Sequence, residues 1–178
     1  MKHILISLLF LNFWGYSFAT SITFSEKVVS EYTYTITVNG NIIELSYVRV
    51  CEDKNEKEKE STSIIKCDPT IGEENVLAEL KARIYWELAC EAFFEMAENE
   101  GQYNHELYLS GKEMLKKCLS CLSEVQNICP GSFKKANEFY IDLVNAEGFG
   151  AETVWEEIET LGFAMGEYPL ELCHIYDY

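Results

Sequence analysis

Positive charge runs out early in this sequence. Its 178 residues carry 30 Asp and Glu against 14 Lys and Arg, and no basic residue lies beyond Lys135. Residues 136–178 hold 10 acids and no Lys or Arg, whereas residues 20–67 hold 8 acids and 6 bases and residues 68–135 hold 12 and 7. A field of this sign repels nucleic acid and anionic membranes and attracts cationic proteins or metal ions. Plain solubility accounts for an acidic surface equally well. Nucleic acid is therefore not an expected partner.

Other absences narrow the chemistry. Past His3 there are two histidines, His105 and His174, and neither neighbours a Gly-x-Ser-x-Gly turn or another nucleophile setting. Both read as surface side chains. The chain has no glycine-rich phosphate loop and no basic stripe. No cofactor is expected. No Asn-x-Ser/Thr sequon occurs, so N-glycosylation is not expected either.

Residues 1–19 have the layout of an export signal, with Lys2, an apolar stretch from Ile4 to Phe18 and small residues up to Ala19. That stretch is 15 residues long, interrupted by Asn12 and Gly15, and short for a membrane span. The expected location is secreted or periplasmic, with no stable membrane insertion after cleavage. Residues 20–178 suffice for one domain with its own core. Seven cysteines, Cys51, Cys67, Cys90, Cys118, Cys121, Cys129 and Cys173, favour disulfides in an exported chain. Seven is odd, so one thiol stays free or pairs with another chain, which leaves a disulfide-linked dimer open.

Residues 20–67 read as β-rich. Asn39-Gly40 is a preferred pair for a two-residue hairpin turn. Such a turn sets Ile36 against Ile43, Tyr34 against Leu45 and Tyr32 against Tyr47, an apolar face that should pack on helices. Thr35 against Glu44 and Thr33 against Ser46 make the other face, and a one-residue slip would mix the two. Residues 22–29 and 63–65 are further strand candidates, and residues 52–60 form a charged, solvated loop. Residues 163–178, with Gly166 and Pro169, read as an irregular tail that Cys173 could staple to the body.

Between them, residues 68–162 read as four helices. In residues 84–97 eleven of fourteen side chains are apolar, and Glu87, Glu91 and Glu95 fall four apart in one ridge. A helix apolar on nearly every other side should be buried there, so this stretch is the expected central helix, within residues 73–99. Helix two, residues 104–127, would bury Gly111, Met114, Cys118, Cys121, Val125 and Ile128. Helix three would be capped by Ser132 and stopped by Gly148, with Phe133, Ala136, Phe139, Tyr140 and Leu143 inward. Helix four would turn Val154, Trp155, Ile158 and Leu161 inward and end at Gly162. The expected architecture is α+β, an N-terminal antiparallel hairpin or small sheet followed by an antiparallel four-helix bundle, stabilised by disulfides.

Cys118-Leu-Ser-Cys121 falls within a helix rather than at the helix start a redox pair uses, and zinc would need two more ligands at suitable spacing. Structural disulfides are the favoured reading, with Cys51–Cys67 a candidate closure of the charged loop. Glu87, Glu91 and Glu95 read first as a solvated stripe. A carboxylate metal site is disfavoured because Glu-x-x-His is absent. Glu152, Glu156 and Glu159, with Glu157 beside them, and Glu138 with Asp142 make ridges in the base-free quarter. They are the better recognition face.

The leading functional expectation is an exported, non-enzymatic protein whose acidic helical face holds a basic protein, as an inhibitor, immunity factor or secreted interaction factor would. A carrier of a small apolar ligand between sheet and helices is the alternative. A carboxylate-based enzyme is the third class.

Overall fold

The computed structural model describes residues 19–50, 59–98, 103–167 and 170–176. Residues 1–18, where an export signal is expected, Cys51, most of the charged loop, Gly101, Tyr168 and Tyr178 lie outside the described residues. The chain is mixed α+β. A curled antiparallel sheet runs in the order β1 (Thr20–Lys27), β2 (Glu31–Asn39), β3 (Ile42–Val50), β4 (Lys59–Cys67) and β5 (Ile175–Tyr176). The helices are α1 (Glu73–Glu98), α2 (His105–Glu124), α3 (Pro130–Glu147) and α4 (Ala151–Glu167).

The hairpin forms, but its register differs by two residues from the expected one. The turn is made by Gly40 and Asn41, so Asn39 pairs with Ile42, Ile36 with Leu45 and Tyr34 with Tyr47. Gly40 takes φ +62°, the left-handed conformation that glycine adopts without a Cβ penalty. The two faces survive because side chains alternate with period two. An apolar pattern specifies pairing only to the nearest two residues, and the turn residues decide the rest. On the outer face Ser21, Thr23 and Ser25 meet Thr37, Thr35 and Thr33 hydroxyl to hydroxyl at 3.1, 3.1 and 2.9 Å. On the inner face Phe24, Tyr34 and Tyr85 connect β1, β2 and α1, with ring centroids 5.4 and 5.9 Å apart.

Helix α1 is the axis. Ala78, Ala82, Ile84, Tyr85, Trp86, Leu88, Ala89, Phe93 and Met96 are all buried, covering almost its full circumference. It packs against α2, α4, β2 and β5. Trp86 stands edge-on to Phe139 of α3, with centroids 5.2 Å apart at 81°. The indole Nε1 is buried without a hydrogen-bond partner among the described residues.

The helix ends differ from expectation in three places. Asn104 caps α2, its Oδ1 accepting from the N–H groups of Glu106 and Leu107 at 3.0 and 3.2 Å, but the helix stops at Glu124 and leaves Ile128 exposed. Ser132 does not cap α3. The helix starts at Pro130, whose missing N–H costs nothing at a first turn, and the Ser132 hydroxyl donates to the Glu171 carbonyl. Helix α4 continues through Gly162 to Glu167. A mid-helix glycine costs about 1 kcal/mol, and burying Met165 one turn later returns about 2 kcal/mol.

The tail is helical up to Glu167 and irregular over residues 170–174, and it is anchored to the body. Glu79 of α1 has no accessible surface. Its Oε2 accepts from the backbone N–H groups of Cys173 and His174 at 3.1 and 3.2 Å, and its Oε1 meets His174 Nδ1 at 2.7 Å. A buried carboxylate is tolerable only with such partners. Cys173 is bonded to Cys129, and β5 pairs with the end of β4. Closing a loop between cysteines separated by 44 positions constrains the unfolded chain by about 4 kcal/mol in the chain-entropy model.

Gly111 of α2 faces Phe93 so closely that a Cβ there would lie 2.5 Å from the ring. Gly111→Ala should therefore destabilise the fold by about 1–3 kcal/mol in urea unfolding, although alanine is the better helix former. Combining it with Phe93→Leu should return part of the loss. A stabilised single variant would show that the two helices are not in contact at this point.

Candidate functional site

Two surfaces have the makings of a site. The first joins α3 and α4. Glu152, Glu156 and Glu159 are exposed along α4, Glu157 is half-buried, and Glu138 and Asp142 are exposed on α3. Asp142 and Glu157 line one groove of about 190 Å3 together with Phe149 and Thr153. Glu138 is not wholly free, since Lys134 lies 3.7 Å from its carboxylate. The residue that sequence reasoning missed is Phe149, which is 80% exposed at the α3–α4 turn. Ile141 and Val144 on α3 are exposed nearby in the chain. Gly148-Phe149-Gly150 was the available signal, a large apolar side chain flanked by glycines in a turn.

The second surface is a cleft between the inner face of the sheet and α1. Leu45, Tyr47, Ile84 and Glu87 are common to two adjoining recesses of about 310 and 230 Å3. The larger extends to Ile64, Ile65, Leu80 and Leu172, the smaller to Tyr32, Tyr34, Leu88 and Glu91. The predicted solvated stripe is thus corrected in part. Glu91 is half-buried, accepting from the Tyr32 hydroxyl at 2.7 Å and from Arg49 at 3.3 Å. Glu87 stays exposed and accepts from Arg83, one turn earlier, at 2.9 Å. Glu95 is half-buried. Burial, with the hydrogen bond to Glu91 second, holds the Tyr32 phenol well above its ordinary range. Burial raises Tyr34 too, followed by the charges of Tyr32, Glu87 and Glu91.

The cysteines divide differently from the expectation. Cys129–Cys173 is the disulfide, and Cys67, Cys90, Cys118 and Cys121 are free thiols. Cys118 and Cys121 lie on the buried seam of α2, and both are free thiols. Cys67 approaches the Gly40 carbonyl at 3.7 Å rather than a cysteine, and its suggested partner Cys51 lies outside the described residues. Burial pushes the Cys90 thiol up to about 12 and raises Cys118 and Cys121 as well. Thiols held protonated in this way are poor nucleophiles.

His174 is a further correction. It is half-buried against Glu79 rather than at the surface, whereas His105 is exposed, with the Tyr103 hydroxyl 3.1 Å from its Nδ1. Among the described residues no group of three or more His, Cys, Asp or Glu side chains is placed to hold a metal ion. No described helix is long and apolar enough to cross a membrane. No family model, no curated protein and no solved structure matches the chain.

Glu147 ends α3 and bonds both Lys112 and the Tyr108 hydroxyl of α2 at 2.5 Å. Those two hydrogen bonds hold its carboxyl below the ordinary glutamate range. A depressed carboxylate contributes stability above its unfolded pKa and loses it as pH falls through the folded value. Thermal unfolding should accordingly show Glu147→Gln less stable than the parent at neutral pH, with the gap shrinking under acid. A pH-independent gap would mean the carboxylate's charge is not what joins α2 to α3. For the cysteines, a thiol reagent should label Cys118 and Cys121 only after denaturation. Rapid labelling in the native protein would overturn their burial.

Proposed function

We propose that this chain is an exported, non-enzymatic binding protein that holds a cationic protein on the outer face of α3 and α4. The observation that carries this reading is Phe149, 80% exposed beside the Asp142–Glu157 groove in the quarter of the chain without Lys or Arg. A large aromatic is a typical anchor at the centre of an interface. Carboxylates around it would steer a basic partner and weaken their hold as salt rises. An inhibitor, immunity factor or secreted interaction factor would work in this way. We read the helical part as an antiparallel four-helix bundle, since each helix packs on the next and α4 returns to α1. That arrangement gives the face a rigid support.

A second reading has its own support. The cleft between sheet and α1 leaves space where a filled core would have ruled out a carrier. The carboxylate-enzyme reading has no observation of its own.

The test starts with capture of a partner from the native compartment at low and high salt, followed by affinity measurement on that partner. Reversing Glu152, Glu156 and Glu159 to lysine should weaken binding at least ten-fold at low salt and flatten its salt dependence. Phe149→Ser should weaken it at both salts. Affinity unchanged by both variants would sink the proposal.

A further inference from the structure

The cleft between sheet and α1 has two chemically different ends. At the smaller end Tyr32, Tyr34 and Tyr47 stand against one another, with ring centroids 5.8 Å apart for Tyr32–Tyr34 and Tyr34–Tyr47 and 6.2 Å for Tyr32–Tyr47. Glu87 and Glu91 line the same recess. The larger end is walled mainly by Leu45, Ile65, Leu80 and Leu172, and Arg83, paired with Glu87, lines it too. Because Leu45, Tyr47, Ile84 and Glu87 belong to both, one molecule could lie along the two.

The protein itself shows what the aromatic end accepts. The Arg49 guanidinium lies 5.7 Å from the centroid of Tyr32 while donating to Glu91 at 3.3 Å. The π-face of a ring attracts a cation through its quadrupole, and a nearby carboxylate adds direct charge. The Tyr34 ring already stacks on Phe24 and Tyr32, whereas Tyr47 has no cation against its ring among the described residues. Glu87 shares its charge with Arg83 only at an exposed i,i+4 pair, which is weak enough for another cation to compete. Burial is the main cause that holds the Tyr34 phenol protonated, and the charges of Glu87 and Glu91, which add to it, favour a cation nearby.

We propose that the cleft binds an amphipathic organic cation, its ammonium between Tyr47 and Glu87 and its apolar body along Leu45, Ile65 and Leu80. This rests on the carrier reading of the cleft and narrows its ligand from apolar to cationic.

The test titrates the full exported chain with phenethylamine, protonated at neutral pH, and with 2-phenylethanol as its neutral counterpart of similar size. The amine should bind saturably and about ten-fold more tightly than the alcohol. Glu87→Gln and Tyr47→Leu should each cut the amine's advantage several-fold while leaving the alcohol's affinity within about two-fold. Glu87 is exposed, so its variant keeps the comparison interpretable if Tyr47→Leu folds poorly. Equal affinity for amine and alcohol would overturn the cation proposal and leave the carrier reading standing. Failure of both to bind would overturn both. An amine preference that neither variant alters would place binding elsewhere on the acidic surface and would also overturn it.

Discussion

Burying a 26-residue helix around nearly its whole circumference is the constraint on which the remainder of this structure depends. One partner cannot cover such a helix. The curled sheet takes one side of α1, α2 and α4 take others, and α3 reaches it through Phe139. The closest approach, between α1 and α2, requires Gly111 because Phe93 fills the space a Cβ would need. The same demand explains the fully buried Glu79. A carboxylate inside this environment is stable only because backbone N–H groups of the tail and His174 bond to it.

Much of this was legible in the residues. The alternation in 32–38 and 43–47 indicates which side of the hairpin faces the helices, and the apolar richness of 84–97 identifies the axis. Pairing within the hairpin was not legible to better than two residues, because a two-residue shift leaves every side chain on the same face. The role of Ser132 was misread since its hydroxyl satisfies a carbonyl 39 positions away rather than its own helix end. The end of α4 was misread since a buried Met165 outweighs the intrinsic cost of Gly162. The Glu79–His174 pair gave no local signal at all. It unites residues 95 positions apart, and only the assembled fold brings them together.

The acidic side chains fall into two populations that sequence alone does not separate. Glu26, Glu79, Glu91 and Glu147 are internal fastenings, each matched to Lys117, His174, Arg49 or Lys112 on another element. The glutamates of α4 have no such assignments among the hydrogen bonds and ion pairs of the described residues, apart from the Glu156 carbonyl accepting from Thr160. Lys117, Arg49 and Lys112 thus hold elements together, whereas Arg83, Lys116 and Lys134 pair within their own helices. Glu152, Glu156 and Glu159 stay exposed on α4, in the same part of the chain as the exposed ring of Phe149.

β5 pairs with β4 only after all four helices have intervened in the chain. During synthesis the first four strands and the helices must therefore associate while the far edge of β4 is still open and Glu79 still lacks the tail that neutralises its burial. Such long-separation pairing closes slowly, and an open edge is a template for strangers. β5 covers only Lys66 and Cys67 of that edge, and Glu60 and Lys66 are charges on β4 of the kind that discourage edge-to-edge association.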